Sequence, residues 1–214
     1  PLTPIQLTID RLQSKYSNQI ASGDQKNYKE NLNIIKNQIK QIGNLVNEFS
    51  DFARMPKPIL KDNDLIILFR ENIKLLQKLD DKIIIHLNSN SDKIILNSDR
   101  EQLSRVFFNL IKNAIESIQQ KNENNSHYKG KITIEINKLN DNIGIKIVDN
   151  GQGFGIFANN IKDILNPYFT TKKNGTGLGL SIVNKIVNDH NGKIEFIPIE
   201  EGAEIKINFT LNDS

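Results

Sequence analysis

The hydrophobic pattern of this chain is helical throughout up to Met55-Pro56-Lys57-Pro58 and alternates between types beyond it, which divides the fold into two kinds of structure. Upstream, Leu2, Ile5, Ile9, Leu12 and Tyr16 recur at spacings of three and four. After a polar break at Ser22-Gly23-Asp24 the pattern resumes in Tyr28, Leu32, Ile35, Ile39, Ile42, Val46, Phe49 and Ala53. This spacing predicts a helical hairpin. Ile34, Leu45 and Phe52 lie beside the seam of the second helix, so its apolar stripe is wider than a two-stranded coiled coil needs. Such a stripe suits half of a four-helix bundle, with a second copy as the natural partner. Proline lacks an amide donor and restricts the residue before it, so the helix stops at the proline pair. We place a hairpin at 1–54, a linker at 55–58 and a second domain at 59–214.

Downstream the pattern alternates. Asp64 to Leu79 reads as a helix, Lys82 to Leu87 and Lys93 to Leu96 as short strands, and Ser98-Asp99-Arg100-Glu101 as a capping box opening a helix to about Ile118. Gln119 to Lys129 reads as a loop. Ile132, Ile134 and Ile136, then Ile143, Ile145 and Ile147, alternate with polar residues around Asn140-Asp141-Asn142 and predict a β-hairpin. Leu178 to Asp189 reads as a helix ended by His190-Asn191-Gly192, and a closing hairpin runs from Lys193 to Leu211 through Glu201-Gly202. The expected class is α+β: a helical hairpin followed by a two-layer α/β sandwich with helices on one face of a mixed sheet.

Composition narrows the function. A net charge of +3 with no Lys/Arg run interleaved with aromatics argues against a nucleic-acid face. Zero cysteines exclude disulfides and thiolate metal sites and fit the cytosol. No apolar run approaches the ~18 residues of a membrane span. The chain starts on Pro1 and has its one methionine at Met55, which reads as a soluble piece of a longer protein with no membrane contact of its own.

Three sites carry candidate chemistry. Asn109 and Asn113, four apart in Asn109-Leu110-Ile111-Lys112-Asn113, share a helix face with Val106, Leu110 and Ala114. An amide oxygen on such a face can give a magnesium ion a neutral ligand, although in an Asn-rich chain the pair alone favours an ordinary helix. Asp149 ends an Ile/Val strand just before Asn150-Gly151-Gln152-Gly153. A carboxylate there can accept from the amino group of adenine and would meet an acceptor in guanine; the same residues also make a common Asp-Asn-Gly turn. Gly175-Thr176-Gly177-Leu178-Gly179 opens a helix whose free amides and dipole can face phosphates, with Lys172 upstream as a point charge. Its sixth position is Leu180, and no Gly-Lys-Ser/Thr loop occurs, so a Rossmann or Walker-type site is disfavoured.

Taken together with Pro167-Tyr168-Phe169, these motifs occur in an order that resembles the catalytic core of bacterial sensor histidine kinases, within the ATPases that include gyrase, heat-shock 90 and mismatch-repair proteins. Asn109 to Asn113 matches their N box, Asp149 to Gly153 the first glycine box, Pro167 to Phe169 the F box and Gly175 to Gly179 the second glycine box. Pro1 to Leu7 and Glu48 to Pro58 resemble the dimerisation helices of NtrY-type nitrogen-regulation kinases. The resemblance implies that 1–54 is a partial dimerisation and phosphotransfer hairpin and 59–214 an ATP-binding domain. It implies ATP and Mg2+ as cofactors. The nucleotide residues would be Asn109, Asn113, Asp149, Gly151, Gly153, Phe169, Lys172, Gly175, Thr176, Gly177, Leu178 and Gly179, with Asn113 on the metal and a lid from Gly155 to Asn174. It implies a homodimer, a response-regulator receiver domain as partner, and a cytoplasmic core of an inner-membrane sensor.

The family's acceptor histidine precedes the position of Pro1, so no catalytic residue is assigned in this chain and self-labelling is not expected. His86 falls on a strand, His127 in a polar loop and His190 at a helix end where a charged ring would suit the dipole. All three read as structural. Gyrase-type hydrolysis is disfavoured, because Asn109 stands where that group carries glutamate. A scaffold using nucleotide only as a switch is the other alternative.

Overall fold

The computed structural model describes residues 2–17, 19–21, 23–122, 129–155, 161–170, 172 and 175–211. It divides into two compact units: residues 1–55 with 171–176, and 56–170 with 177–214.

The first unit is a helical hairpin of α1 (Thr3–Tyr16) and α2 (Gln25–Ala53). Ile9, Leu32 and Ile39 are its buried residues, with Leu2 and Tyr28 packed against them. Ile34, Ile35, Ile42, Val46 and Phe49 remain exposed. Two helices can bury only one seam between them, so the wider stripe predicted for α2 is left facing outward.

The second unit holds β1 (Lys61–Asp64), α3 (Leu65–Leu76), β2 (Ile84–Ser89), β3 (Ile95–Ser98), α4 (Arg100–Asn122), β4 (Lys131–Leu139), β5 (Asn142–Asp149), α5 (Gly179–Asp189), β6 (Gly192–Pro198) and β7 (Ala203–Thr210), with a 3-10 turn at Ile161–Leu165. One sheet runs β2-β4-β5-β7-β6, parallel between β2 and β4 and antiparallel elsewhere. The alternating isoleucines do what period two requires: Ile132, Ile134, Ile136, Ile143, Ile145 and Ile147 are all buried. Across them lie Phe69, Leu103, Phe107, Leu110, Ile182 and Ile186 of the three helices, also buried. The Phe69 and Phe107 rings stack with centroids 3.8 Å apart. This is the expected α+β sandwich.

Four local readings need correction. β1, absent from the sequence reading, pairs antiparallel with β3, Lys61 opposite Ser98; its Lys-Asp-Asn-Asp composition carries no strand signal. Asp64 is not the first residue of α3 but its cap, accepting from the Ile66 amide at 3.0 Å. The cap of α4 is Asp99 and not Ser98: Asp99 Oδ1 accepts from the Glu101 and Gln102 amides, each at 3.0 Å. Ser98 is buried and donates instead to the Leu96 carbonyl, so no capping box forms. Finally, α4 continues through Gln119 to Asn122, residues expected in a loop.

Candidate functional site

Helix α4 presents Asn109, Asn113, Ser117 and Lys121 four residues apart, a single slowly turning stripe. Its lower half meets the turn after β5. The Ser117 hydroxyl donates to the Asp149 carboxylate and accepts from the Gln152 amide at 2.9 Å and the Gly153 amide at 3.3 Å. The Ser117 carbonyl takes the Gln152 amide as well, at 3.2 Å. Lys121 Nζ donates to the Asn150 carbonyl at 3.1 Å. Neither Ser117 nor Lys121 was singled out from the sequence; both continue the four-residue step that starts at Asn109 and Asn113, and that spacing is the signal that points to them.

Asp149 is 6% exposed, and its Oδ1 accepts from the Gly151 amide at 2.8 Å. Burial pushes its carboxyl up to about 6, against the downward pull of the Gly151 amide, the Ser117 hydroxyl and the Lys121 charge. Asn150 ties the turn to the start of β4, accepting from the Lys131 amide at 2.8 Å and donating to the Lys129 carbonyl at 2.9 Å. Gly151 is there because nothing larger fits: a Cβ would come within 2.3 Å of Ser117 Oγ. Gly202, in the β6–β7 turn, closes the other side at φ +96, where a Cβ would fall 1.8 Å from the Asp149 carbonyl oxygen. Gly153, at φ +70, packs against the Gly202 carbonyl. The sequence reading saw Gly202 only as a hairpin turn, since its partner lies 53 positions away.

A second cluster forms around Gly177. Its carbonyl accepts from the Tyr168 amide at 3.1 Å, and a Cβ at Gly177 would stand 2.7 Å from the Phe169 nitrogen. The F-box and second glycine-box segments therefore lie backbone to backbone, with Phe169 half-buried. Leu178 is buried, and Gly179 opens α5, whose N-terminus has no side-chain cap and no acidic residue in its first turn. Amides at such an end are available to an anion.

Lys172, Gly175 and Thr176 fall in the segment that groups with the helical unit. There the Gly175 amide donates to the Lys172 carbonyl at 3.1 Å, and Thr176 Oγ1 donates to Glu48. Residues 156–160, 171 and 173–174 of the expected lid lie outside the described residues, as does His127.

His190 is buried, with both ring nitrogens engaged. Nδ1 faces the Ile186 carbonyl at 2.8 Å, and Nε2 accepts from the Asp99 amide at 3.0 Å. A ring that accepts at Nε2 has a lone pair there, so the charged form expected at the helix end is not the one that makes this bond. His86 is exposed on β2, as expected of a strand position.

Among the described residues no cluster of three His, Cys, Asp or Glu exists that could hold a metal by itself. Side-chain amide oxygens such as those of Asn109 and Asn113 are neutral groups that could each supply a single ligand to a divalent ion. No helix among the described residues is long and apolar enough to cross a membrane.

Comparison with known proteins gives a consistent picture. The family model described as "Histidine kinase-, DNA gyrase B-, and HSP90-like ATPase" matches residues 98–213. The nitrogen regulation protein NtrY of Azorhizobium caulinodans is 34% identical over 211 residues, which is 99% of this chain and 27% of that protein. A putative NtrY-like sensor histidine kinase of Rickettsia prowazekii is 35% identical over 214 residues, 100% of this chain and 34% of that protein. The chain thus spans about a third or less of these relatives. Among solved structures, the catalytic domain of histidine kinase ThkA has a TM-score of 0.61 at 27% identity, covering 71% of this chain and 95% of that one. ThkA in complex with the response regulator TrrA matches 99% of this chain and 59% of that one at TM-score 0.69 and 21% identity, a likeness of fold.

Proposed function

The chain belongs to the histidine kinase-, DNA gyrase B- and HSP90-like ATPase family, and from that premise we propose that it is the ATP-binding core of an NtrY-type two-component sensor kinase. The observation that carries the reading is Asp149, a buried carboxylate fixed by the Gly151 amide and the Ser117 hydroxyl at the end of β5. An aspartate costs free energy to bury, and an exposed turn would not need it inside. In our reading Asp149 accepts from the adenine amino group and Gly151 and Gly153 let the backbone approach the base. Asn113, with Asn109 beside it, holds Mg2+. Phe169, Lys172, Gly175, Thr176, Gly177, Leu178 and Gly179 form the phosphate side, with α5 giving its N-terminal amides. These residues orient the nucleotide; Mg2+ would neutralise phosphate charge when bound. Transfer at such a site rests on positioning and charge neutralisation.

We further propose that residues 1–54 are half of a dimerisation bundle, 55–58 a linker and 59–214 the ATP-binding domain. The outward stripe of Ile35, Ile42, Val46 and Phe49 would meet a second copy. The phosphoryl group would pass to a histidine on a chain carrying the complete hairpin and then to a receiver-domain aspartate, on the cytoplasmic side of a membrane-anchored parent. Self-labelling is not expected: His190 has both ring nitrogens engaged, and His86 sits on the sheet.

The test is to incubate the chain with radiolabelled ATP, alone and with a longer chain carrying the histidine segment but an inactivated nucleotide site. Acid-labile label on the longer chain only is expected. Label on the 214-residue chain itself, or none on either while ATP binds, contradicts the proposal. Ile42→Ala should reduce labelling in trans and leave ATP affinity unchanged, since losing a large apolar contact typically costs about 2 to 5 kcal/mol.

A further inference from the structure

The sheet has an unpartnered edge on the side away from β6. Among the described residues, strand β2 pairs only with β4, in parallel. The Ile84 amide donates to the Gly130 carbonyl at 3.0 Å and the Asn90 amide to the Ile136 carbonyl at 3.4 Å, so even-numbered residues of β2 turn their backbone groups inward. By the two-residue period, Ile85, Leu87 and Ser89 turn theirs to the open side. The register places Ile85 opposite Ile132 and Leu87 opposite Ile134, on the helix face of the sheet.

Between this edge and α3 runs a groove of about 430 Å3. Ile73, Ile85 and Leu87 line its apolar part, and Arg70, Lys74 and Lys78 its polar part. The three cations stand four apart, Arg70 and Lys74 on α3 and Lys78 in the turn that follows it, all exposed. None of them takes part in an ion pair among the described residues: the nearby carboxylate of Glu71 goes to Arg100 at 2.5 Å, and Asp80 accepts from Gln119 at 3.1 Å. Gln77, between them, is held by the Ile83 carbonyl at 3.0 Å and so fixes α3 against the strand.

We propose that this groove receives an extended acidic segment of a partner protein, added to the sheet beside β2. Backbone groups of Ile85 and Leu87 would pair with the incoming strand, as in β-strand addition. Its alternate side chains would point toward α3, where carboxylates meet Arg70, Lys74 and Lys78. The intervening ones would lie on the opposite face next to the exposed Ile84, where β-branched residues fit. A membrane surface is flat and cannot satisfy in-plane amides and carbonyls at the bottom of a groove. Lysines near an edge often guard it against pairing. Here the strand residues facing the groove are Ile85 and Leu87, which attract a neighbour, and the cations sit on α3 and the turn after it, across from them.

The site lies in the second unit and does not depend on the nucleotide reading. The test is fluorescence anisotropy of the full chain with a short fluorescein-labelled peptide of alternating glutamate and valine. Saturable binding is expected, weakened about tenfold or more when Arg70→Glu, Lys74→Glu and Lys78→Glu are combined, as loss of several charge-assisted contacts implies. A second labelled peptide of alternating lysine and valine should not bind the unaltered chain but should bind the triple variant, which also shows that the variant is folded. N-methylation of alternate peptide amides should abolish binding to the unaltered chain. Equal binding of both peptides, no binding of the acidic one, indifference to N-methylation, or retention of the chain on phosphatidylserine vesicles in place of the peptide would each overturn the proposal.

Discussion

Ser117 Oγ lies 2.9 Å from the Gln152 amide nitrogen, across 35 positions of sequence, and its proton goes to Asp149. One hydroxyl therefore closes the turn and steadies the carboxylate at its root. A hydroxyl has one donor and two acceptor positions. Here the donor serves Asp149 and the acceptors serve the Gln152 and Gly153 amides.

Replacing Ser117 with alanine removes all three contacts. ATP affinity should fall about threefold to thirtyfold, the range expected from losing hydrogen bonds of this kind. The midpoint of its pH dependence should also move up, because Ser117 is one of the groups holding the Asp149 carboxyl down. Calorimetric titrations of ATP across pH would show both changes; a merely structural serine would leave the midpoint where it was.

Asp149 also makes the fold less stable at neutral pH. Burial raises its folded-state value to about 6 from an ordinary 3.8, so the native state holds this proton more tightly than the unfolded chain. The resulting stability is fully present below 3.8 and is lost as pH rises through about 6. Asp149→Asn should therefore stabilise the chain by about 2 to 3 kcal/mol near pH 8 and by almost nothing near pH ~3. Urea unfolding at the two pH values measures the difference.

Gly202→Ala should be severe for a residue in the β6–β7 turn. The new Cβ would stand 1.8 Å from the Asp149 carbonyl at φ +96. A strained backbone and an overpacked turn together predict a loss of about 2 to 4 kcal/mol. Denaturation midpoints report the loss, and ATP titration of the folded fraction should show weakened binding.

Asp99→Ala removes the cap of α4 and the acceptor for the Ile59 amide, which lies 2.9 Å from Oδ2. A loss of about 1 to 2 kcal/mol is expected at neutral pH. Desolvation works against the Asp99 carboxylate, but the Ile59, Gln102 and Glu101 amides hold its value below the ordinary one. Its stabilisation is thus present above the unfolded value near 3.8 and disappears as pH falls through the lower folded value. The variant and the unaltered chain should converge in stability at low pH.

The period of the apolar residues made most of the fold legible. Ile132 to Ile136 and Ile143 to Ile147 alternate because one face of the sheet is buried, and the α2 seam repeats because a helix buries one stripe. What the pattern could not show was held by contacts distant in sequence. Strand β1 is polar and exists through its pairing with β3. Asp99 won the cap from Ser98 because Ser98 turns inward to the Leu96 carbonyl. In the site, Asp149 and its glycines were visible as a turn, whereas Ser117 and Gly202 acquire their roles only when α4 and the β6–β7 turn close on it. His190 shows the same limit, since its partner at Asp99 lies 91 positions away.

The most direct test of the nucleotide assignment is a paired calorimetric titration of the chain with Mg-ATP and Mg-GTP, repeated on Asp149→Ala. The account predicts saturable ATP binding, no GTP binding, and a tenfold to hundredfold loss in the variant, equivalent to a charge-assisted bond of roughly 1.5 to 3 kcal/mol. Equal curves for the two nucleotides, or an Asp149→Ala chain that binds ATP as tightly as the original, would contradict it.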